Sequence, residues 1–152
     1  MDIQDLYQDL IIDHGTHPRN FGTLPHPDAS AEGFNPLCGD KVQVVLMLKD
    51  GLITDARFIG CGCALSLASA SLMTETLVGK RTDAVLTLAT AFKDLLTKDN
   101  PSPNDLGKLA AFANVKTFPA RVKCATLAWH TLEAAIQQIK NPVSTENGDE
   151  SL

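Results

Sequence analysis

The sequence predicts an α+β domain, in which helices pack on one face of a small antiparallel sheet. Three observations support this fold class. A β-hairpin pattern lies near the middle of the chain, helical periodicity dominates the residues after it, and 152 residues with 44% hydrophobic content are enough for one core. We expect a single domain over residues 1–140 and a polar, acidic tail over residues 141–152, whose composition predicts disorder.

The first half of the chain contains one helix and two clear strands. Helical spacing of apolar residues after Asp2, a candidate N-cap, predicts a helix that ends near Gly15. The segments KVQVVLML (41–48) and ITDARFIG (53–60) have the β-branched content of strands. Asp50-Gly51 between them suits a two-residue hairpin loop. A third strand is expected within residues 22–35.

Helices dominate the second half. Apolar stripes predict helices over residues 64–78, where Gly79 ends the pattern, over residues 82–96 and over residues 124–139. A short helix is expected over residues 105–112, after the polar break TKDNPSPND. We find no internal repeat and no domain boundary.

The hairpin brings distant cysteines together. If Asp50 and Gly51 form its loop, the pairing continues until Asp40 faces Cys61 and Cys38 faces Cys63. Opposed residues have Cβ atoms about 4.5–5.5 Å apart. A β-bulge would shift this register by one residue.

Three thiols and a carboxylate form a candidate metal site. Cys63 and Cys124 both stand where a predicted helix begins, and the N–H groups and dipole of a helix start lower the pKa of a thiol. With Cys38 and Asp40 they offer a ligand set that suits tetrahedral Zn²⁺ or an iron–sulfur centre. The carboxylate is the more exchangeable ligand.

Each cysteine also has a plainer interpretation, because a single cysteine is most often a small buried apolar residue. The hairpin pairing and the helix starts favour ligands for Cys38, Cys63 and Cys124. Strand alternation places Cys61 on another face, so we expect a core filler or an uninvolved thiol there. A Cys38–Cys63 disulfide is disfavoured, since four cysteines without an export signal indicate a reducing cytoplasm.

Composition excludes several classes of function. The net charge of -5 argues against nucleic-acid binding. No apolar run approaches the about 18 residues of a membrane span, and the acidic N-terminal segment lacks the pattern of a signal peptide. No Ser-His-Asp arrangement, phosphate loop or carboxylate pair indicates a stand-alone hydrolase. The histidines lack metal-ligand spacing and are expected at the surface or in local hydrogen bonds (His14, His17, His26), or away from the cysteines (His130).

Several motifs carry a resemblance to a known family. They are HPRNFG, NPLCGD, GCGCALSLASASLMTE, Gly79-Lys80 and PARVKCATLAWHTLEAAI, in this order over about residues 3–140. Together they resemble the IscU/NifU-type iron–sulfur assembly scaffold family. The resemblance implies the α+β fold of that family. It also implies that Cys38, Asp40, Cys63 and Cys124 are the ligands of the metal or cluster.

Two features resemble the SufU branch of this family more than the IscU branch. Lys123 stands before the last cysteine, where IscU has a histidine, and an extra segment covers roughly residues 95–115. The SufU-like pattern implies bound Zn²⁺, a cysteine desulfurase as partner, and Cys38 as acceptor of persulfide sulfur. Arg121 would orient Asp40 or the partner, or would be an ordinary surface charge.

The resemblance leaves three functions open. The first is a zinc-containing sulfur acceptor, a sulfurtransferase-type partner of the desulfurase rather than a stand-alone catalyst. The second is a scaffold that assembles a [2Fe–2S] cluster, with Fe²⁺ or the cluster in place of zinc. The third is a structural zinc domain. Other cluster assembly proteins and apo acceptors are further expected partners, and the cytoplasm is the expected location.

Overall fold

The computed structural model describes residues 3–98 and 106–140, with side chains over residues 5–98 and 106–138. A three-stranded antiparallel sheet, in the order β1–β2–β3, packs against helices, which confirms the predicted α+β class. The elements in chain order are α1 (Ile3–Thr16), β1 (Ala29–Asn35), β2 (Asp40–Lys49), β3 (Leu52–Cys61), α2 (Ala64–Leu77), α3 (Thr82–Thr97), a 3₁₀ segment (Gly107–Thr117) and α4 (Pro119–Lys140).

The hairpin of β2 and β3 has the predicted loop but not the predicted register. Lys49 faces Leu52 as expected, and the pairing then shifts between Met47 and Leu48. Beyond this bulge Lys41, and not Asp40, faces Cys61. The prediction that Cys38 faces Cys63 is therefore wrong, because β3 has one extra residue and β2 begins only at Asp40.

Most predicted helices are confirmed within a residue or two. α1, α2 and α3 match their patterns, and Gly79, at a φ of 90°, follows the end of α2. The expected third strand is β1. The expected short helix is a 3₁₀ segment that extends to Thr117. Its predicted first residue, Asp105, and the predicted N-cap Asp2 lie outside the described residues.

α4 begins five residues before the position that the sequence pattern indicated, at Pro119 instead of Cys124. Proline suits the first turn of a helix, because its φ is already helical and its missing N–H would be unpaired there. Cys124 therefore lies in the second turn of α4. The prediction that it stands at a helix start is wrong.

α4 crosses the sheet and forms the centre of the core. Gly33 on β1 leaves room for Thr131, since a Cβ at that glycine would overlap the threonine hydroxyl. Trp129 on α4 stacks on Phe92 of α3 with ring centroids 4.8 Å apart, and Phe92 contacts Phe112 edge-on. This packing holds the first turns of α4 over the end of the sheet where β1 meets β2.

The division into one domain over residues 1–140 stays a prediction, and the predicted tail over residues 141–152 lies outside the described residues. Among residues 3–98 and 106–140, no helix combines the length and the apolarity needed to cross a membrane.

His14 joins α1 to α2 and is buried, so the surface alternative is wrong for it, and its hydrogen bond reaches a distant residue rather than a local one. Its Nδ1 lies 2.7 Å from the hydroxyl of Ser71 on α2. That hydroxyl also accepts the backbone N–H of Arg19 at 2.8 Å. His17 and His26 are exposed as expected.

We expect the stability of the protein to fall as the pH falls below about 6.5, in part because of His14. Burial, and then the charge of Arg19, lower the pKa of His14, against the opposing effects of Glu75 and Asp13. The unfolded chain therefore takes up a proton at His14 before the folded chain does. The stability that neutral His14 contributes is fully present above about pH 6.5 and is lost as the pH falls through the lowered pKa.

Urea unfolding at successive pH values from 7.5 to about 5 measures this effect. His14→Gln should flatten the decline, and the exposed His26→Gln should reproduce the wild-type profile. His130 also has a pKa lowered by burial, so some decline remains in both variants. Equal slopes for His14→Gln and wild type would exclude the contribution of His14.

Candidate metal centre

The four predicted ligands come from four different segments. Cys38 lies in the turn 36–39 between β1 and β2, and it is exposed. Asp40 is the first residue of β2 and is fully buried. Cys63 lies between β3 and α2, and Cys124 is buried in the second turn of α4.

Three of these residues form a compact cluster. One ligand atom of each of Cys38, Asp40 and Cys124 lies within 4.8 Å of the others. The sulfurs of Cys38 and Cys124 are 3.1 Å apart. Thiolates bound at about 2.3 Å to a tetrahedral Zn²⁺ lie about 3.8 Å from each other. The two sulfurs lie closer together than this, and all three ligand atoms are near enough to one another to contact a single ion.

Cys63 contacts this cluster through Asp40. Its backbone N–H donates to Oδ1 of Asp40 at 2.9 Å, and its sulfur lies 3.9 Å from Oδ2. The same sulfur caps α2, because it accepts the N–H of Ser66 at 3.4 Å. The predicted position of Cys63 at a helix start is confirmed. The structure places Cys63 beside the three-residue cluster, without making it a member.

Gly62 makes the approach of Cys63 to Asp40 possible. A Cβ at Gly62 would overlap Oδ1 of Asp40, and the glycine has a φ of 149°, which side-chain-bearing residues rarely adopt. The glycine therefore allows the backbone before Cys63 to pass directly over the buried carboxylate.

The electrostatics of the cluster favour a bound cation. In residues 5–98 and 106–138, no Lys, Arg or His side chain forms an ion pair with Asp40, although this carboxyl is fully buried. Burial, followed by the hydrogen bonds to Cys38 and Asp40 and the charge of Cys63, raises the pKa of Cys124 far above its usual range. The expected lowering by a helix start is wrong for Cys124. Buried acidic groups without a cationic partner fit the coordination of a metal ion, whose charge deprotonates thiols.

Cys61, Arg121 and His130 are not part of the three-residue cluster. Cys61 is the last residue of β3 and is exposed, so the alternative of a core filler is wrong. Arg121 is exposed in the first turn of α4 and forms no ion pair with Asp40, a statement limited to the residues whose side chains are described. The ring of His130 lies 3.7 Å from Glu133.

Asn35 is a residue of the site that the sequence did not indicate. Its side-chain nitrogen lies 3.7 Å from the sulfur of Cys124, and its oxygen accepts the N–H of Leu37 at 3.2 Å. An asparagine at the end of a strand, immediately before a turn, is a recognisable signal for a side-chain-to-backbone turn. Its contact with Cys124 depends on the packing of α4 and has no sequence signal.

Comparisons with known proteins identify the family of this chain. Residues 6–145 match the family described as the NifU-like N-terminal domain. The chain is 38% identical over 135 residues to the zinc-dependent sulfurtransferase SufU of Bacillus subtilis, covering 88% of this chain and 91% of that protein. It is 35% identical over 137 residues to the iron–sulfur cluster assembly scaffold protein IscU of Thermotoga maritima, covering 90% of this chain and 96% of that protein.

Two solved structures have a fold similar to that of this chain. FiSufU from Fervidobacterium islandicum AW-1 superposes with a TM-score of 0.81 at 32% identity, covering 89% of this chain and 99% of that one. The N-terminal part of a nitrogen-fixing NifU-like protein from Brucella abortus superposes with a TM-score of 0.80 at 29% identity, covering 93% of this chain and 99% of that one. By sequence and by fold, this chain belongs to the family of NifU-like N-terminal domains.

Proposed function

We propose that this protein is a zinc-containing sulfur acceptor, which takes persulfide sulfur from a cysteine desulfurase for iron–sulfur cluster assembly. The observation that carries the proposal is the cluster of an exposed thiol, Cys38, with a buried thiol and a buried carboxylate. The similarity to a relative named as a zinc-dependent sulfurtransferase supports it.

The ligands in this proposal are Cys38, Asp40, Cys63 and Cys124. A bound Zn²⁺ would hold the thiols deprotonated and unreactive until one of them is exchanged. Asp40, as an oxygen ligand among sulfurs, suits an exchangeable position, and its hydrogen bond from the N–H of Cys63 keeps the carboxylate in place during an exchange.

Cys38 is the thiol best placed to react. Its turn has no helix to hold it, and the side chain is exposed, whereas Cys124 is fully buried and the sulfur of Cys63 caps α2. In the transfer, the thiolate of Cys38 attacks the outer sulfur of the persulfide on the desulfurase. The new S–S bond forms on Cys38 as the old one breaks, and the cysteine of the desulfurase leaves as a thiolate.

Arg121 fits a role toward the partner better than a role toward Asp40, because it is exposed and forms no ion pair with that carboxylate in the described part of the chain. Its guanidinium can pair with a carboxylate on the surface of the desulfurase. The protein in this proposal acts in the cytoplasm and passes sulfur to other cluster assembly proteins or to apo acceptors.

Incubation with a cysteine desulfurase and free cysteine should add one sulfur to Cys38. Mass spectrometry after a single turnover should find the added mass on the peptide that contains this residue. Cys38→Ser should receive none, and Cys61→Ala, which changes an exposed thiol outside the cluster, should receive the wild-type amount. Sulfur found only on Cys124 would move the acceptor to α4. If an active desulfurase adds no sulfur to any cysteine, the function that remains is that of a structural zinc domain.

A second function, a scaffold for a [2Fe–2S] cluster, uses the same ligands and is supported by the similarity to proteins named IscU. Lys123 stands before Cys124 instead of the histidine of the IscU branch and favours sulfur transfer. Elemental analysis of protein purified without oxygen separates the two. Colourless protein with zinc supports transfer, and brown protein with iron and sulfide supports the scaffold.

A further inference from the structure

Asn35 lies at the point where the segments that carry Cys38 and Cys124 meet. It is the last residue of β1 and pairs with Asp40, the first residue of β2. The turn 36–39, which contains Cys38, starts and ends on this pair. The side chain of Asn35 is buried, with 4% of its surface exposed.

The hydrogen bonds of Asn35 fix the orientation of its amide. The backbone N–H of Leu37 is a donor only, so the atom of Asn35 that it contacts at 3.2 Å must be the oxygen. The amide NH₂ then points to the sulfur of Cys124, 3.7 Å away. The reversed amide would set two donors against each other at Leu37 and would turn the oxygen toward the sulfur.

We propose that Asn35 is a positioning residue of the metal centre, which holds the Cys38 turn through its oxygen and stabilises the sulfur of Cys124 as a ligand through its amide nitrogen. This inference rests on the proposed ligand set. It adds a residue that binds no metal itself but contacts two of the segments that do.

The physical reason lies in the burial of Cys124. A thiolate without hydrogen bonds is costly in an apolar environment, and an N–H donor offsets part of this cost. The other contact of this sulfur outside the cluster is the carbonyl oxygen of Ala120 at 3.7 Å, which cannot donate. Among the described residues, the NH₂ of Asn35 is the amide donor that faces Cys124.

Two substitutions remove the amide donor of Asn35 and keep an acceptor for the turn. Asn35→Ser keeps a short acceptor for the turn, since serine forms the same kind of turn, but it does not reach Cys124. Asn35→Asp keeps the shape and the acceptor but has no N–H for the sulfur. Both should weaken Zn²⁺ binding by about 10- to 100-fold, as the loss of hydrogen bonds to ligands does in other metal sites.

Ser69→Ala is the matched control. Ser69 is also buried and also touches α4 near the cysteine, since its hydroxyl donates to the carbonyl of Ala125 and accepts the indole N–H of Trp129. This variant should lose stability but keep its affinity for Zn²⁺. With Co²⁺ bound, the thiolate-to-metal absorption band should move to longer wavelength in both Asn35 variants and stay in place in Ser69→Ala. Unchanged affinity and band in folded Asn35 variants would overturn the proposal.

A measurement on the unmodified protein does not depend on whether a variant folds. With NMR-active cadmium bound in place of zinc, the hydrogen bond should transmit a scalar coupling from the metal through the sulfur of Cys124 to a side-chain amide proton of Asn35. If the protein binds cadmium and this coupling is absent, the role of Asn35 is overturned and the proposed function is not affected. Protein that takes up neither zinc nor cadmium would overturn the proposed function, and the role of Asn35 with it.

Discussion

Cys124→Ala is expected to purify without bound zinc, and Cys38→Ala and Cys63→Ala are expected to lose most of it, while Cys61→Ala keeps the wild-type content. The loss in each ligand variant should exceed the about 10- to 100-fold that the loss of a neighbouring hydrogen bond costs. The effect should be largest for Cys124, because no water can replace a ligand that is fully buried. Cys38 is exposed, so a water can fill part of its role.

Zinc released from each denatured variant after gel filtration measures this prediction, with circular dichroism to show that the variant had folded. Cys63→Ala is the most informative case. Its sulfur contacts Asp40 but stands outside the cluster of Cys38, Asp40 and Cys124. Full zinc content in Cys63→Ala would mean that Cys38, Asp40 and Cys124 are the protein ligands and Cys63 is not. Loss of zinc in Cys61→Ala would contradict the assignment of the ligands.

The sequence was sufficient for the hairpin loop and insufficient for the pairing beyond it. Asp50 and Gly51 have φ angles of 54° and 79°, the two positive values that a tight hairpin of this kind requires, and Asp-Gly is the dipeptide that supplies them. The bulge after Ile53 shifts every later pair by one residue. The residue types at that position do not predict a bulge. The extra residue is accommodated by the twist of the strands and by the packing of the sheet against the helices.

The start of α4 was misplaced for a related reason. The apolar pattern predicts a helix only from Cys124, and Pro119 instead forms its first residue. A proline within a few residues of a helical pattern fits both a preceding loop and the first turn. The difference matters for the chemistry, because it moves Cys124 from an expected helix start into a buried second turn, where its pKa is raised.

The proximity of Cys38, Asp40 and Cys124 follows from tertiary packing more than from the hairpin. The register predicted from the hairpin loop sets Cys38 opposite Cys63, whereas the sulfur of Cys38 lies 3.1 Å from that of Cys124 on α4. Cys124 entered the predicted site through its position near a helix and through the family resemblance. Asn35 had neither signal for its contact with Cys124, which arises where α4 packs on the end of β1.

Gly62→Ala should destabilise the metal-free protein strongly and reduce its affinity for zinc as well. A Cβ at this position would overlap the buried carboxylate of Asp40, and the backbone has a φ of 149°. Overpacking of a buried site costs about 1–3 kcal/mol, and backbone strain costs about 1–3 kcal/mol more. We expect a loss of about 2–6 kcal/mol in the free energy of unfolding, from the sum of these two effects.

Gly79→Ala separates the two causes. Gly79 also has a positive φ, 90°, but a Cβ there would have no atom within 4 Å, so this variant carries strain without overlap. Its expected loss is about 1–2 kcal/mol, with zinc affinity unchanged. Urea unfolding of both variants with a chelator present, followed by zinc titration, measures the difference. A loss of stability in Gly62→Ala no larger than in Gly79→Ala would mean that Asp40 can move aside, and the carboxylate would then not be held in place by the backbone before Cys63.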